Sequence, residues 1–149
     1  MTTNTTLELT KQLMARASVT PLDEGCQQIL IDRLTALGFV AERLRFGDTD
    51  NIWLRRGTAA PLTCFAGHTD VVPTDGQTWQ SDPYRADIRE GRLYGRGTAD
   101  MKGFIAALLA AAPAMVQAEL KRPLHIALSY DEEIGCLCAP VLIADLQKR

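Results

Sequence analysis

Leu9, Leu13 and Met14 recur at the spacing of one helix face and predict a helix over residues 5–17. Ser18-Val19-Thr20-Pro21 breaks it. Asp23 then stands as an N-cap for a second helix lined by Ile29, Leu30, Leu34 and Leu37, with Gly38 as its C-terminal stop. Residues 39–44 and 51–55 read as strands flanking a turn at 47–50. Residues 62–65 are a short apolar run, taken as a buried strand that ends at Gly67. A loop rich in Pro, Gly, Asp and Thr follows over 71–83, and Glu90-Gly91 centres a hairpin over 85–94. Residues 103–118 form an alanine-rich helix that Pro113 is expected to kink or split. Residues 124–129 are a second buried strand, and 135–147 a last helix. Helices alternating with strands predict an α/β domain with a central mixed sheet, and ligands of such sheets gather beyond the carboxyl ends of strands.

Composition narrows the function classes. The 149 residues carry a net charge of −2, which leaves no basic footprint for nucleic acid. The first four residues lack a basic and then apolar leader. The longest apolar run, 104–115, is too short and alanine-rich to span a bilayer. Cys26, Cys64, Cys136 and Cys138 form no CxxC pair, which fits reduced thiols and a cytoplasmic setting.

Three polar segments carry the candidate chemistry. His68 and Asp70 follow the strand ending at Gly67 and share a face, so Asp70 can orient the imidazole; a turn with a capping Asp fits as well. Asp100 opens a helix behind Gly95-Arg96-Gly97. It reads either as an N-cap, worth roughly 0.3–1 kcal/mol from the helix dipole, or as a carboxylate bridging two ions. Asp131-Glu132-Glu133 follows the strand over 124–129. Adjacent carboxylates there read either as acidic surface or as a metal ligand beside a proton acceptor. His125, inside a strand, reads as a satisfied core or edge histidine. Cys136 and Cys138 lack partners for a zinc site, and Gly95-Arg96-Gly97-Thr98-Ala99 lacks the spacing of a nucleotide loop.

In order, Phe65-Ala66-Gly67-His68-Thr69-Asp70-Val71-Val72-Pro73, Gly95-Arg96-Gly97-Thr98-Ala99-Asp100-Met101-Lys102-Gly103 and Ser129-Tyr130-Asp131-Glu132-Glu133-Ile134-Gly135 resemble the dinuclear zinc aminoacylase and carboxypeptidase family. The likeness spans essentially the whole chain but is uneven. The text up to residue 74 is most similar to the succinyl-diaminopimelate desuccinylase branch, and that from residue 75 onward to the acetylornithine deacetylase branch.

The resemblance implies a three-layer catalytic domain and zinc as cofactor, two ions in the complete enzyme, with cobalt a substitute. It implies His68, Asp100 and Glu133 as metal ligands, Asp100 bridging. It implies Asp70 as the acid orienting His68, and Glu132 as the general base that deprotonates the attacking water and passes the proton to the leaving amine. The substrate class is a small-molecule N-acyl diamino acid of lysine or arginine biosynthesis; neither nucleic acid nor membrane is a partner.

The resemblance also implies that residues 1–149 are the N-terminal portion of the catalytic domain. A further acidic ligand, a distant histidine and a second domain that makes the homodimer and covers the substrate would lie outside them. The expectation is therefore an incomplete, inactive piece with an unfinished sheet edge. The alternatives are a non-catalytic metal-binding or interaction module, or a chimera of the two sister enzymes. Cys138, where the family pattern has a smaller residue, is expected to crowd the last helix.

Overall fold

A computed structural model describes residues 5–148. Residues 1–4, read above as no leader, lie outside the described residues. Helix α1, Thr6–Met14, is capped by the Thr5 hydroxyl, which accepts the Glu8 N–H at 3.3 Å. Leu9, Leu13 and Met14 are buried on its inner face, as the spacing predicts. Helix α2 spans Cys26–Thr35. Asp23 caps it from outside the first turn, accepting the Gln27 N–H through both carboxylate oxygens at 3.1 and 3.2 Å. Its C-terminus closes with Gly38 at φ +84°, Gly38 N–H donating to the Thr35 carbonyl and Phe39 N–H to that of Leu34. This is a Schellman closure with the glycine where it is required.

Strands β1 (Val40–Phe46) and β2 (Thr49–Arg56) form a hairpin through Gly47-Asp48, a tighter turn than the four residues predicted. Strand β3 is Thr63–His68, and β4 (Asp87–Arg89) and β5 (Arg92–Tyr94) make the small hairpin. Its turn residues Glu90 and Gly91 both have positive φ, as a two-residue loop requires. One wide turn over Thr98–Lys102 leads into α3, Gly103–Gln117. Pro113 lies inside α3 without splitting it. Strand β6 is Leu124–Ser129, and α4 is Cys138–Leu146.

The main sheet has the order β1-β2-β6-β3, antiparallel except for the parallel β3–β6 pair. It is the mixed sheet expected of an α/β chain. Ile52, Leu54, Ile126 and Leu128 face a core built with Leu9, Leu13, Leu30, Leu34 and Ile105 from α1, α2 and α3. Trp53 and Ala127, one residue out of step, face the other side, where Leu142 of α4 closes the third layer.

Four expectations change. Strand β3 is an edge, and Cys64 and Ala66 are exposed rather than buried, because no described element covers that half of its surface. The last helix starts at Cys138, not residue 135, since Gly135 (φ +114°) and Cys136 (φ +56°) hold left-handed backbone. Cys138 does not crowd it: the side chain is buried with its thiol 3.7 Å from the Phe46 carbonyl. Finally, the helical stretch Thr98–Gln117 is 20 residues and, by length and composition alone, long enough to cross a membrane. Ile105, Ala106, Leu108, Leu109 and Ala112 pack its inner face into the core. His125 is satisfied as expected, its Nε2 3.0 Å from the Gly57 carbonyl.

Candidate metal centre

Because β3 and β6 run parallel and in register, His68 ends one strand beside Ser129 at the end of the other. The segments that follow each strand therefore emerge together at one edge of the sheet, the place where such sheets hold ligands. The approach to α3 delivers the third segment. Met101 lies against Gly67, where a Cβ would come within 2.9 Å of its terminal methyl, and its sulfur is 3.3 Å from the His68 backbone nitrogen. Gly103 is needed for the same turn, since a Cβ there would stand 2.4 Å from the Thr98 carbonyl oxygen. Lys102 is buried and donates to the Arg16 carbonyl at 2.6 Å; burial lowers its pKa. These contacts hold Asp100, whose side chain is 73% exposed, at the rim of the site.

The buried imidazole of His68 is the hub. Its Nδ1 lies 3.1 Å from the Asp70 carbonyl oxygen and 3.3 Å from Asp70 Oδ1. Its Nε2 lies 3.0 Å from Asp100 Oδ1 and 3.8 Å from Glu132 Oε2. His68, Glu132 and Glu133 each offer a ligand atom within 4.8 Å of the others. The five residues singled out in the sequence thus converge. Asp131 does not join them: its Oδ2 accepts the Cys138 N–H at 2.8 Å, capping α4.

Charge follows the geometry. Burial alone would lower the pKa of His68, but the hydrogen-bonded carboxylates of Asp70 and Asp100 and the charge of Glu132 outweigh it and push the ring up to about 9. Asp70 is also buried, which by itself raises a carboxyl; His68, the Thr20 hydroxyl and the Glu133 N–H reverse that and leave it below the usual range. Burial raises Glu133, and the neighbouring Asp100 and Glu132 charges add to it.

A metal fits this donor set. One imidazole nitrogen stands beside the carboxylates of Asp100 and Glu132, with Glu133 nearby, a donor set whose negative charge a bound cation would offset. Two donors each about 2.1 Å from a tetrahedral zinc stand about 3.4 Å apart, close to the spacing of His68 Nε2 and Asp100 Oδ1.

Residues 64–149 match peptidase family M20/M25/M40, a stretch that holds all five site residues. The chain belongs to that family. Relatives within it include a protein named succinyl-diaminopimelate desuccinylase from Nitrosospira multiformis, 60% identical over 114 residues, covering 76% of this chain and 30% of its own length. Another of that name, from Acinetobacter baumannii, is 48% identical and covers 97% of this chain and 39% of its own. The chain thus spans about a third of the curated relatives it matches. Solved M20-type structures share the fold. Human carnosine dipeptidase 1 superposes with a TM-score of 0.82 at 25% identity, over 97% of this chain and 35% of that one. The M20 metallo-carboxypeptidase Sso-CP2 from Sulfolobus solfataricus gives 0.76 at 25% identity, over 88% and 32%.

Sequence reasoning missed the residues behind the site. Thr20 donates to Asp70 Oδ2 at 2.7 Å, and Ser18 donates to the Thr69 carbonyl at 2.9 Å. The only signal was two hydroxyl residues in a segment read as a helix break.

Proposed function

We propose that this chain is the metal-bearing N-terminal portion of the catalytic domain of a zinc-dependent amide hydrolase, one that removes the succinyl group from N-succinyl-diaminopimelate. The observation that carries it is the convergence of a buried imidazole and the Asp100, Glu132 and Glu133 carboxylates beyond two parallel strand ends. The desuccinylase names of the relatives support the substrate.

His68, Asp100 and Glu133 hold the metal. Bound zinc supplies Lewis-acid polarisation of the acyl carbonyl and lowers the pKa of its water. Asp70 keeps a proton on His68 Nδ1, so the Nε2 lone pair faces Asp100. Asp100, exposed and offering two oxygens, would contribute to holding the metal at the rim of the site, and cobalt would substitute for zinc. Glu132, 44% exposed at its side chain, takes the proton of the attacking water and returns it to the departing amine. The complete protein is a cytoplasmic homodimer. These residues alone are expected to bind metal and to turn over little.

The likeness of the text after residue 75 to deacetylases makes N-acetylornithine the second substrate to assay. Zinc titration by calorimetry with the 149-residue chain, and deacylation assays with a full-length version against both substrates, test the reading. One weak zinc site or none favours a non-catalytic module or a simple fragment; a chimera of the two sister enzymes is a separate alternative that this titration does not address. Zinc-dependent deacylation by the 149 residues alone refutes their inactivity. A full-length Glu132→Gln variant is expected to bind zinc and lose at least about 100-fold in kcat.

A further inference from the structure

We propose that Thr20 is a positioning residue for the metal centre, acting on His68 through Asp70; this rests on the reading of His68 as a zinc ligand. The two oxygens of Asp70 are divided. Oδ1 is turned toward His68 Nδ1 at 3.3 Å, and Oδ2 accepts the Thr20 hydroxyl at 2.7 Å and the Glu133 N–H at 3.3 Å. The side chain of Asp70 is fully buried, so no water replaces a lost donor. A charge-assisted hydrogen bond to a dry carboxylate is one of the stronger polar contacts a protein makes.

The segment bearing Thr20 is itself fixed to the loop it orients. Ser18 donates through its hydroxyl to the Thr69 carbonyl at 2.9 Å, and its own carbonyl accepts the Val71 N–H at 3.1 Å. Val19 and Val71 pair as a parallel bridge. The three residues 18–20 therefore clasp the three residues 69–71 from a part of the chain with no other place in the site. Thr20 is the member that reaches the carboxylate. Without its hydroxyl, Asp70 Oδ2 keeps only the longer bond from Glu133, and the carboxylate is free to turn away from His68.

The test compares the wild-type chain with Thr20→Val, which keeps the shape and loses the donor, and Thr20→Ser, which keeps the donor. Zinc affinity is read by competition with a chromophoric chelator. Thr20→Val is expected to bind zinc about tenfold more weakly, and Thr20→Ser to stay within about twofold of wild type. In metal-free protein the His68 Nδ1–H resonance is expected to exchange with solvent faster in Thr20→Val than in wild type, and no faster in Thr20→Ser. Thr20→Ala replaces valine if that variant does not fold. Unchanged zinc affinity and unchanged Nδ1–H exchange in Thr20→Val overturn the proposal, as does a Thr20→Ser variant as defective as Thr20→Val. If wild type takes up no zinc, the proposed function fails, while the exchange comparison still decides the role of Thr20.

Discussion

His68 Nε2 stands 3.0 Å from Asp100 Oδ1, although 32 positions separate them in sequence. A strand end and a helix mouth meet here because Met101 packs against the Gly67 backbone. The side chains differ sharply in exposure, 5% for His68 and 73% for Asp100. Asp100→Asn is therefore expected to weaken zinc binding by at least about tenfold while changing unfolding free energy by under about 1 kcal/mol. Calorimetric zinc titration and chemical denaturation of the same preparation check this. A variant that binds zinc normally removes Asp100 from the ligand set.

The raised pKa of His68 gives the metal-free chain a defined pH dependence. Its ring moves from an ordinary value near 6.5 to about 9 on folding. The folded state thus holds the proton more tightly, so the stabilisation is complete below the unfolded value and fades as pH rises through the folded one. Unfolding free energy is expected to fall by on the order of 2 kcal/mol between about pH 6 and about pH 10, and His68→Gln to flatten that step. Zinc must displace the same proton. Apparent affinity is therefore expected to rise up to about tenfold per pH unit until about pH 9. Urea denaturation and zinc competition across that range are the measurements.

What the sequence made legible was local. Residues 124–129 match β6, Gly38 closes α2 by a left-handed turn that suits a residue with no side chain, and the three polar segments follow strands or open a helix. Those features depend on neighbours in the chain. Thr20 and Ser18 could not be read, because their partners lie 50 and 51 positions away and a hydroxyl beside a proline looks like any turn. The exposure of β3 was hidden for a related reason. Its apolar residues report that the strand exists, but which neighbours cover it is decided by sheet order. Asp131 has no role of its own legible in the sequence, and its cap on α4 could not be read there because it depends on a bond to the Cys138 N–H seven positions away.

Gly103 tests the packing that aims Asp100. Its φ of −65° suits any residue, so a substitution there is opposed by space alone. A Cβ would stand 2.4 Å from the Thr98 carbonyl oxygen, a backbone atom that cannot swing aside. Gly103→Ala is expected to cost about 2–4 kcal/mol and to weaken zinc binding with it, because the turn bearing Asp100 must shift. Gly67→Ala meets only the flexible end of Met101 and the tip of Ile105 and is expected to cost less. Thermal denaturation of the two variants side by side decides; equal losses contradict the account.

Asp131, Glu132 and Glu133 are adjacent carboxylates with different work, and substitution should separate them. Asp131 is buried, accepts the Cys138 N–H at 2.8 Å through its side chain, and accepts the Cys136 N–H at 2.9 Å through its carbonyl. Only the first bond depends on the carboxylate, and it satisfies an N–H at the start of α4 that no other described side chain caps. Asp131→Ala is expected to destabilise the chain by about 1–2 kcal/mol. Glu132 has a side chain 44% exposed and serves no such cap, so Glu132→Ala is expected to stay within about 0.5 kcal/mol of wild type. Its effect belongs to turnover in the complete enzyme. Urea denaturation of both variants makes the comparison, and an Asp131→Ala variant as stable as wild type would show that α4 does not depend on that cap.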